Sequence, residues 1–204
     1  DMGTGSGSQA LTAVEQGCSV TAVDINLQVV QHLRLKARKN NLSLKVIQSD
    51  LFSRVKGMFD TIIFNPPYLP QDLGVEDASI YGGKKGWEIS ERFFAQVPGF
   101  LNVQGVILFL FSTLTNKCQI ETILRQHLFQ WEEVARQKIA FEELYVYKIQ
   151  KSELLQELEH ATAQLFKVRP TEPEMRNYCN EVLHFLHEFQ GEDLQTIKHA
   201  VREN

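Results

Sequence analysis

The residues of this 204-residue chain with the most chemical content are Asn65-Pro66-Pro67-Tyr68, which follow the short apolar run Thr61 to Phe64. Two successive prolines fix their own φ angles and hold Asn65 in an extended conformation, so the loop is stiff and its polar groups cannot relax away. Such a loop offers the Asn65 side-chain oxygen and the Pro66 carbonyl as two acceptors, with the Tyr68 ring as a stacking face. That set matches a flat group bearing an NH2, whose two hydrogens meet the two oxygens while the ring covers its plane.

Three further elements occur at the ends of other predicted strands. Asp1-Met2-Gly3-Thr4-Gly5-Ser6-Gly7 places glycines at alternate positions ahead of a helical stretch. Glycines allow tight turning and close approach of a ligand, and the helix start supplies free N–H groups. Asp24 ends the next strand, where a carboxylate can accept bonds from both hydroxyls of a ribose, serving a nicotinamide dinucleotide or S-adenosylmethionine equally well. Asp50 and Leu51 end the following one, an acid for an adenine amino group and a backbone N–H with an apolar wall. Taken singly, these read equally as a flexible loop, a solvated acid and an Asx turn. Their order along the chain, completed by the proline loop, argues for one site.

Positioning such a site requires strands that end together. Ser19 to Ile25, Leu44 to Ser49, Phe59 to Phe64 and Gly105 to Ser112 are short runs rich in Ile, Val and Phe, as expected of parallel strands buried on both faces. Helices are predicted over Ser8 to Gln16, Leu27 to Lys39, Trp87 to Gln96 and Lys117 to Leu128. Trp131 to Ala140 and Glu143 to Gln150 read as an antiparallel hairpin closing one edge, joined tightly near Phe141 and Glu142. The fold class is therefore α/β, a Rossmann-like sheet flanked by helices, over residues 1–154. A small helical extension is expected over 155–204, with Thr171 to Glu174 as a capping box. A glycine turn of this type follows a buried central strand, so the sequence is expected to begin inside a longer gene product.

With 21 basic and 25 acidic residues the net charge is -4, which argues against nonspecific grip on nucleic acid. Three widely spaced cysteines suggest neither a disulfide framework nor a metal site, and a cytoplasmic setting follows. No apolar run reaches membrane-spanning length, so no membrane association is expected. Lys36, Arg38 and Lys39 read as a solvated helix face, His184 and His187 as helix residues without a third ligand, and Trp87 and Trp131 as packing groups. No metal is expected.

From Asp1 to about Gln150 the sequence resembles the class I S-adenosylmethionine methyltransferases, and within them the HemK-like protein-glutamine N5-methyltransferases of the short archaeal and eukaryotic branch. The carriers are DMGTGSG (1–7), AVDIN (22–26), SDLF (49–52), NPPY (65–68), the stretch Tyr81 to Glu88, and Phe141-Glu142-Glu143-Leu144. The resemblance implies S-adenosylmethionine as cofactor, lined by Asp1, Gly3, Gly5, Asp24, Asp50, Leu51 and Asn65. It implies that Asn65, Pro66, Pro67 and Tyr68 hold the acceptor, with Asn65, Pro66 and Tyr68 carrying the chemistry. It further implies the glutamine of a peptide-chain release factor as substrate, and a small zinc-ribbon activator pairing with a sheet edge. NPPY also occurs in adenine-N6 and guanine-N2 methyltransferases, so a nucleic-acid acceptor stands as the alternative, and a non-catalytic binding fragment as a third. Residues 169–177 faintly resemble the N-terminal helical region of the initiation factor 2B regulatory subunit and sugar-phosphate isomerase family.

Overall fold

The computed structural model of the protein describes residues 1–70 and 81–165. The element order is α1 (Ser8–Glu15), β1 (Val20–Asp24), α2 (Leu27–Lys39), β2 (Leu44–Gln48), β3 (Phe59–Phe64), α3 (Glu88–Gln96), β4 (Leu101–Ser112), α4 (Lys117–Gln126), β5 (Phe129–Lys138), β6 (Glu143–Lys151) and α5 (Glu153–Leu165). Predicted and observed elements coincide within a few residues; β4 runs four residues further back than expected, starting at Leu101. The capping box at 171–174, the helix beyond it, both histidines at 184 and 187, and the 169–177 resemblance lie outside the described residues.

β1 pairs parallel with β2, Ala22 opposite Val46, and β3 pairs parallel with β4, Ile62 opposite Ile107. β6 runs antiparallel between β4 and β5, so the hairpin does close an edge, with β5 outermost. Met2 joins the two halves through parallel bridges to Val23 and Phe64. Its N–H donates to the Ile63 carbonyl (2.8 Å), and the Val23 N–H donates to the Asp1 carbonyl (2.9 Å). The sheet order is thus β2-β1-Met2-β3-β4-β6-β5. Beside Met2, toward the starts of β1 and β3, lies a shallow open depression lined in part by Thr21, Phe59 and Thr61.

Successive strand residues face opposite ways, and the two apolar clusters follow that alternation. Ala22 packs with Ala10, Leu11, Val30 and Leu33 of α1 and α2. Val23 belongs instead to the larger cluster with α3, β4, α4 and β6. That second cluster is aromatic: Phe93 lies 4.6 Å from Phe64, and Phe52 stacks on Phe100 at 4.4 Å between ring centroids. Trp87 and Trp131 pack against it, as the sequence suggests. Lys36, Arg38 and Lys39 occupy the last turn of α2, exposed, where their charge complements the helix C-terminus.

α5 is bound to the sheet by more than apolar contact. Leu155 enters the main core, while the fully buried Lys151 ammonium donates to the Glu159 carboxylate (2.5 Å) and the Pro98 carbonyl (3.0 Å). Removing one partner strands a buried charge, which typically costs about 3–5 kcal/mol. Glu159→Ala is therefore expected to lower unfolding stability by about 3 kcal/mol, read as a shift in urea midpoint; an unchanged midpoint would show the ammonium finds another acceptor.

Candidate methyl-transfer site

Parallel strands on either side of a crossover bring their C-terminal ends to one edge, and the crevice at the switch point is where α/β sheets bind ligands. The chain leaves Met2 for β1 and β2 on one side, then crosses to β3 on the other. The glycine turn sits at that switch point.

Asp1 secures the turn. Its carboxylate accepts from the Thr4 hydroxyl (2.5 Å) and from the Ala10 N–H (3.2 Å) inside the first turn of α1. Gly7, at the cap position of α1, has no side chain to cap with, so Asp1 serves as a remote cap. Gly7 itself is required twice over: its φ is +78°, and a β-carbon there would meet the Leu33 side chain at 2.4 Å. Asp24 fixes the other side of the turn, one oxygen accepting from the Gly5 N–H and the other from the Asn26 N–H, both at 2.9 Å. Each carboxylate oxygen retains a further lone pair for a ligand hydroxyl.

Beyond β2, Ser49 N–H donates to the Asp24 carbonyl (2.9 Å), which holds the Asp50–Leu51 turn next to the end of β1. Leu51 is buried in a left-handed backbone conformation (φ +46°), a strained state for a side-chain-bearing residue that costs on the order of 1 kcal/mol. The Asp50 carboxylate carries an ion pair to Arg92 of α3 at 2.6 Å, a partner that sequence patterning did not indicate. Both groups are about half exposed, so the pair contributes at most about 1 kcal/mol and yields readily to a ligand.

The Asn65–Tyr68 loop adjoins the glycine turn. A β-carbon at Gly3 would lie 3.3 Å from the Phe64 ring and 3.9 Å from the Asn65 carbonyl oxygen. Phe64 is clamped between Phe93 and Phe109, so the root of the loop is set by the aromatic core. Asn65 is exposed, and among the described residues its side chain makes no hydrogen bond within the chain. Three contacts hold the remainder: Thr115 Oγ1 donates to the Tyr68 carbonyl (3.3 Å), Gly82 N–H donates to the Leu69 carbonyl (3.0 Å), and Leu69 forms a parallel bridge with Tyr81. The packing is backbone on backbone, since a β-carbon at Gly82 would sit 2.5 Å from the Pro67 carbonyl oxygen and 2.3 Å from that of Gly86. The Tyr68 phenol is held above its ordinary value, first by burial and then by the negative charge of Glu142, so it remains a neutral hydroxyl at pH 7.

Among the described residues no cluster of His, Cys, Asp or Glu could hold a metal, and no helix is long and apolar enough to cross a membrane.

The chain resembles known proteins along most of its length. It is 37% identical over 152 residues to a putative protein N5-glutamine methyltransferase of Methanocaldococcus jannaschii, covering 72% of this chain and 77% of that one. It is 30% identical over 141 residues to the human methyltransferase HEMK2 (63% of this chain, 64% of that one). The release factor glutamine methyltransferase of Streptococcus pneumoniae is 27% identical over 140 residues, and this chain spans only 50% of its length. In solved structures, the Mtq2–Trm112 complex of E. cuniculi, described as methylating the eRF1 translation termination factor, superposes with a TM-score of 0.60 at 23% identity, covering 74% of this chain and 83% of that one. At that identity the likeness speaks to the fold. The methyltransferase small domain model matches residues 1–142, and the chain belongs to that family.

Proposed function

We propose that the protein transfers a methyl group from S-adenosylmethionine to the side-chain amide nitrogen of a glutamine in a peptide-chain release factor. The observation that carries this reading is the proline-locked Asn65–Tyr68 loop, rooted in the aromatic core and seated against the glycine turn that ends at α1. Support for the acceptor comes from the relatives, whose names specify glutamine N5 and release factors.

The residues present fit the cofactor. Asp24 has lone pairs for a ribose, the glycine turn admits close approach, and Asp50 with Leu51 can border an adenine once Arg92 gives way. S-adenosylmethionine supplies a methyl group on a sulfonium, whose thioether leaves without an acid. The protein's task is the nucleophile, because an amide nitrogen shares its lone pair with the carbonyl. Asn65 and Pro66 accept the two amide hydrogens, orient the nitrogen, and favour the pyramidal form in which positive charge develops. Tyr68 stacks on the amide plane. Positioning of this kind lowers a barrier by on the order of 7–11 kcal/mol, judged from effective molarities. The nitrogen gains the methyl as the carbon–sulfur bond breaks and then loses one proton to solvent, so the scheme requires no dedicated base.

A small zinc-ribbon activator fits the same reading, since both outer strands, β2 and β5, present edges for pairing. Labelled methyl transfer from the full-length protein to a release factor, run beside DNA, tRNA and rRNA, tests the proposal; incorporation into nucleic acid alone would replace it with a base N-methyltransferase. Asp24→Ala should weaken S-adenosylmethionine binding by about tenfold to a hundredfold, because it removes charge-assisted hydrogen bonds and frees the Gly5 turn. Calorimetry checks this, and unaltered affinity would place the ribose elsewhere.

A further inference from the structure

The turn between β5 and β6 carries a carboxylate that the folded chain leaves unused. Ile139 N–H donates to the Glu142 carbonyl (2.9 Å), closing a two-residue connection of Ala140 and Phe141. The next residue anchors that turn over the active edge: Glu143 N–H donates to Thr113 Oγ1 (3.1 Å), and Thr115, two residues on, donates to the Tyr68 carbonyl. Glu142 is thereby held in place, and its charge is felt at the Tyr68 phenol. Its Oε2 is buried, yet among the described residues it accepts no hydrogen bond. An unsatisfied buried acceptor costs free energy that folding alone does not recover. The preceding residue, Phe141, is 94% exposed, and Ile139 of the same turn and Leu114, next to Thr113, are exposed as well. A large apolar ring standing free next to a partly exposed carboxylate, one oxygen of which has no partner, forms the wall of a site that a second polymer completes.

We propose that Glu142 is a positioning residue for the acceptor polypeptide: its carboxylate accepts a backbone N–H of the loop that delivers the methylated side chain, while Phe141 covers the apolar part of that loop. This rests on the polypeptide reading above. A polypeptide fits the wall better than a nucleic acid does, because the phosphate backbone would be repelled by the carboxylate and gains little from Phe141, Ile139 and Leu114. The role is complementary to that of Asn65 and Pro66: they hold the amide, and Glu142 holds the chain that carries it.

The test compares full-length wild-type, Glu142→Ala, Glu142→Asp and Phe141→Ala proteins, using S-adenosylmethionine and a release factor, with initial rates over a range of release-factor concentrations. Loss of a hydrogen bond to a charged acceptor predicts a fall in kcat/KM of about tenfold to a hundredfold for Glu142→Ala, expressed mainly in KM for the polypeptide. Glu142→Asp should recover part of it, Phe141→Ala should raise KM with kcat little changed, S-adenosylmethionine affinity should stay at the wild-type value, and the thermal midpoint should not fall below it. Wild-type kinetics for Glu142→Ala, or losses matched by weaker cofactor binding or a lower midpoint, would overturn the inference. If the wild-type protein itself transfers no methyl to the polypeptide, the functional reading falls and this inference with it; methylation by wild type with an indifferent Glu142→Ala sinks only the inference.

Discussion

Replacing Asn65 by alanine is expected to lower kcat by at least about a hundredfold while changing S-adenosylmethionine affinity by less than about threefold. The expectation separates cleanly from folding effects because Asn65 is exposed and its side chain has no hydrogen-bonding role in the described structure. What alanine removes is one of two acceptors that meet the amide hydrogens, a contact that strengthens as the nitrogen becomes positive. An interaction stronger in the transition state than in the ground state is lost from kcat, with KM nearly unmoved. Asn65→Asp keeps an acceptor oxygen and should retain more activity than alanine. Single-turnover rates with labelled cofactor measure the effect; near-normal methylation by Asn65→Ala would show that Pro66 alone orients the amide or that the acceptor binds elsewhere.

The sequence made the framework of this site readable because strand-end chemistry follows simple periodicity. Runs such as Phe59 to Phe64 are short, β-branched and aromatic, and each ends at or just before a residue to which the proposed reading gives a role: Asp24, Asp50 or Asn65. The proline pair at 66 and 67 declared its own rigidity. Other features could not be read that way. Asp1 looks like a ligand contact in sequence, yet its carboxylate also caps α1 by reaching Ala10, a relation that only folding creates. Arg92 lies 42 residues from Asp50, and nothing in the spacing pairs them. Glu142 is one of 25 acidic residues, and its distinction lies in one buried, unpartnered oxygen and in its charge felt at Tyr68 rather than in any local pattern. Long-range contacts between elements are the part of the site that patterning leaves silent.

The same distinction governs Gly82, whose place in a glycine-rich stretch was visible while its reason was not. Alanine there is expected to cut kcat/KM by on the order of a hundredfold, the loss that a displacement of about 1 Å in a reacting group produces. The added β-carbon would fall 2.3 Å from the Gly86 carbonyl oxygen, 2.5 Å from that of Pro67 and 2.9 Å from the Gly86 carbonyl carbon, all of them backbone atoms. Flexible side chains could swing aside, but a peptide group moves only with its loop. Two responses are open: the 82–86 turn lifts, or the Asn65–Tyr68 loop shifts with Pro67 and carries its acceptors off the amide. The aromatic root at Phe64 resists the second, so strain concentrates between residues 65 and 69, where the proposed acceptor site lies. Cofactor binding, which the proposed reading assigns to Gly5 and Asp24 across the sheet, should persist. The decisive measurement is therefore paired: S-adenosylmethionine affinity by calorimetry and methyl transfer by label, on one preparation of Gly82→Ala. Retained transfer would mean that the loop is compliant, contrary to the stiffness on which the proposed fit to a planar NH2 depends.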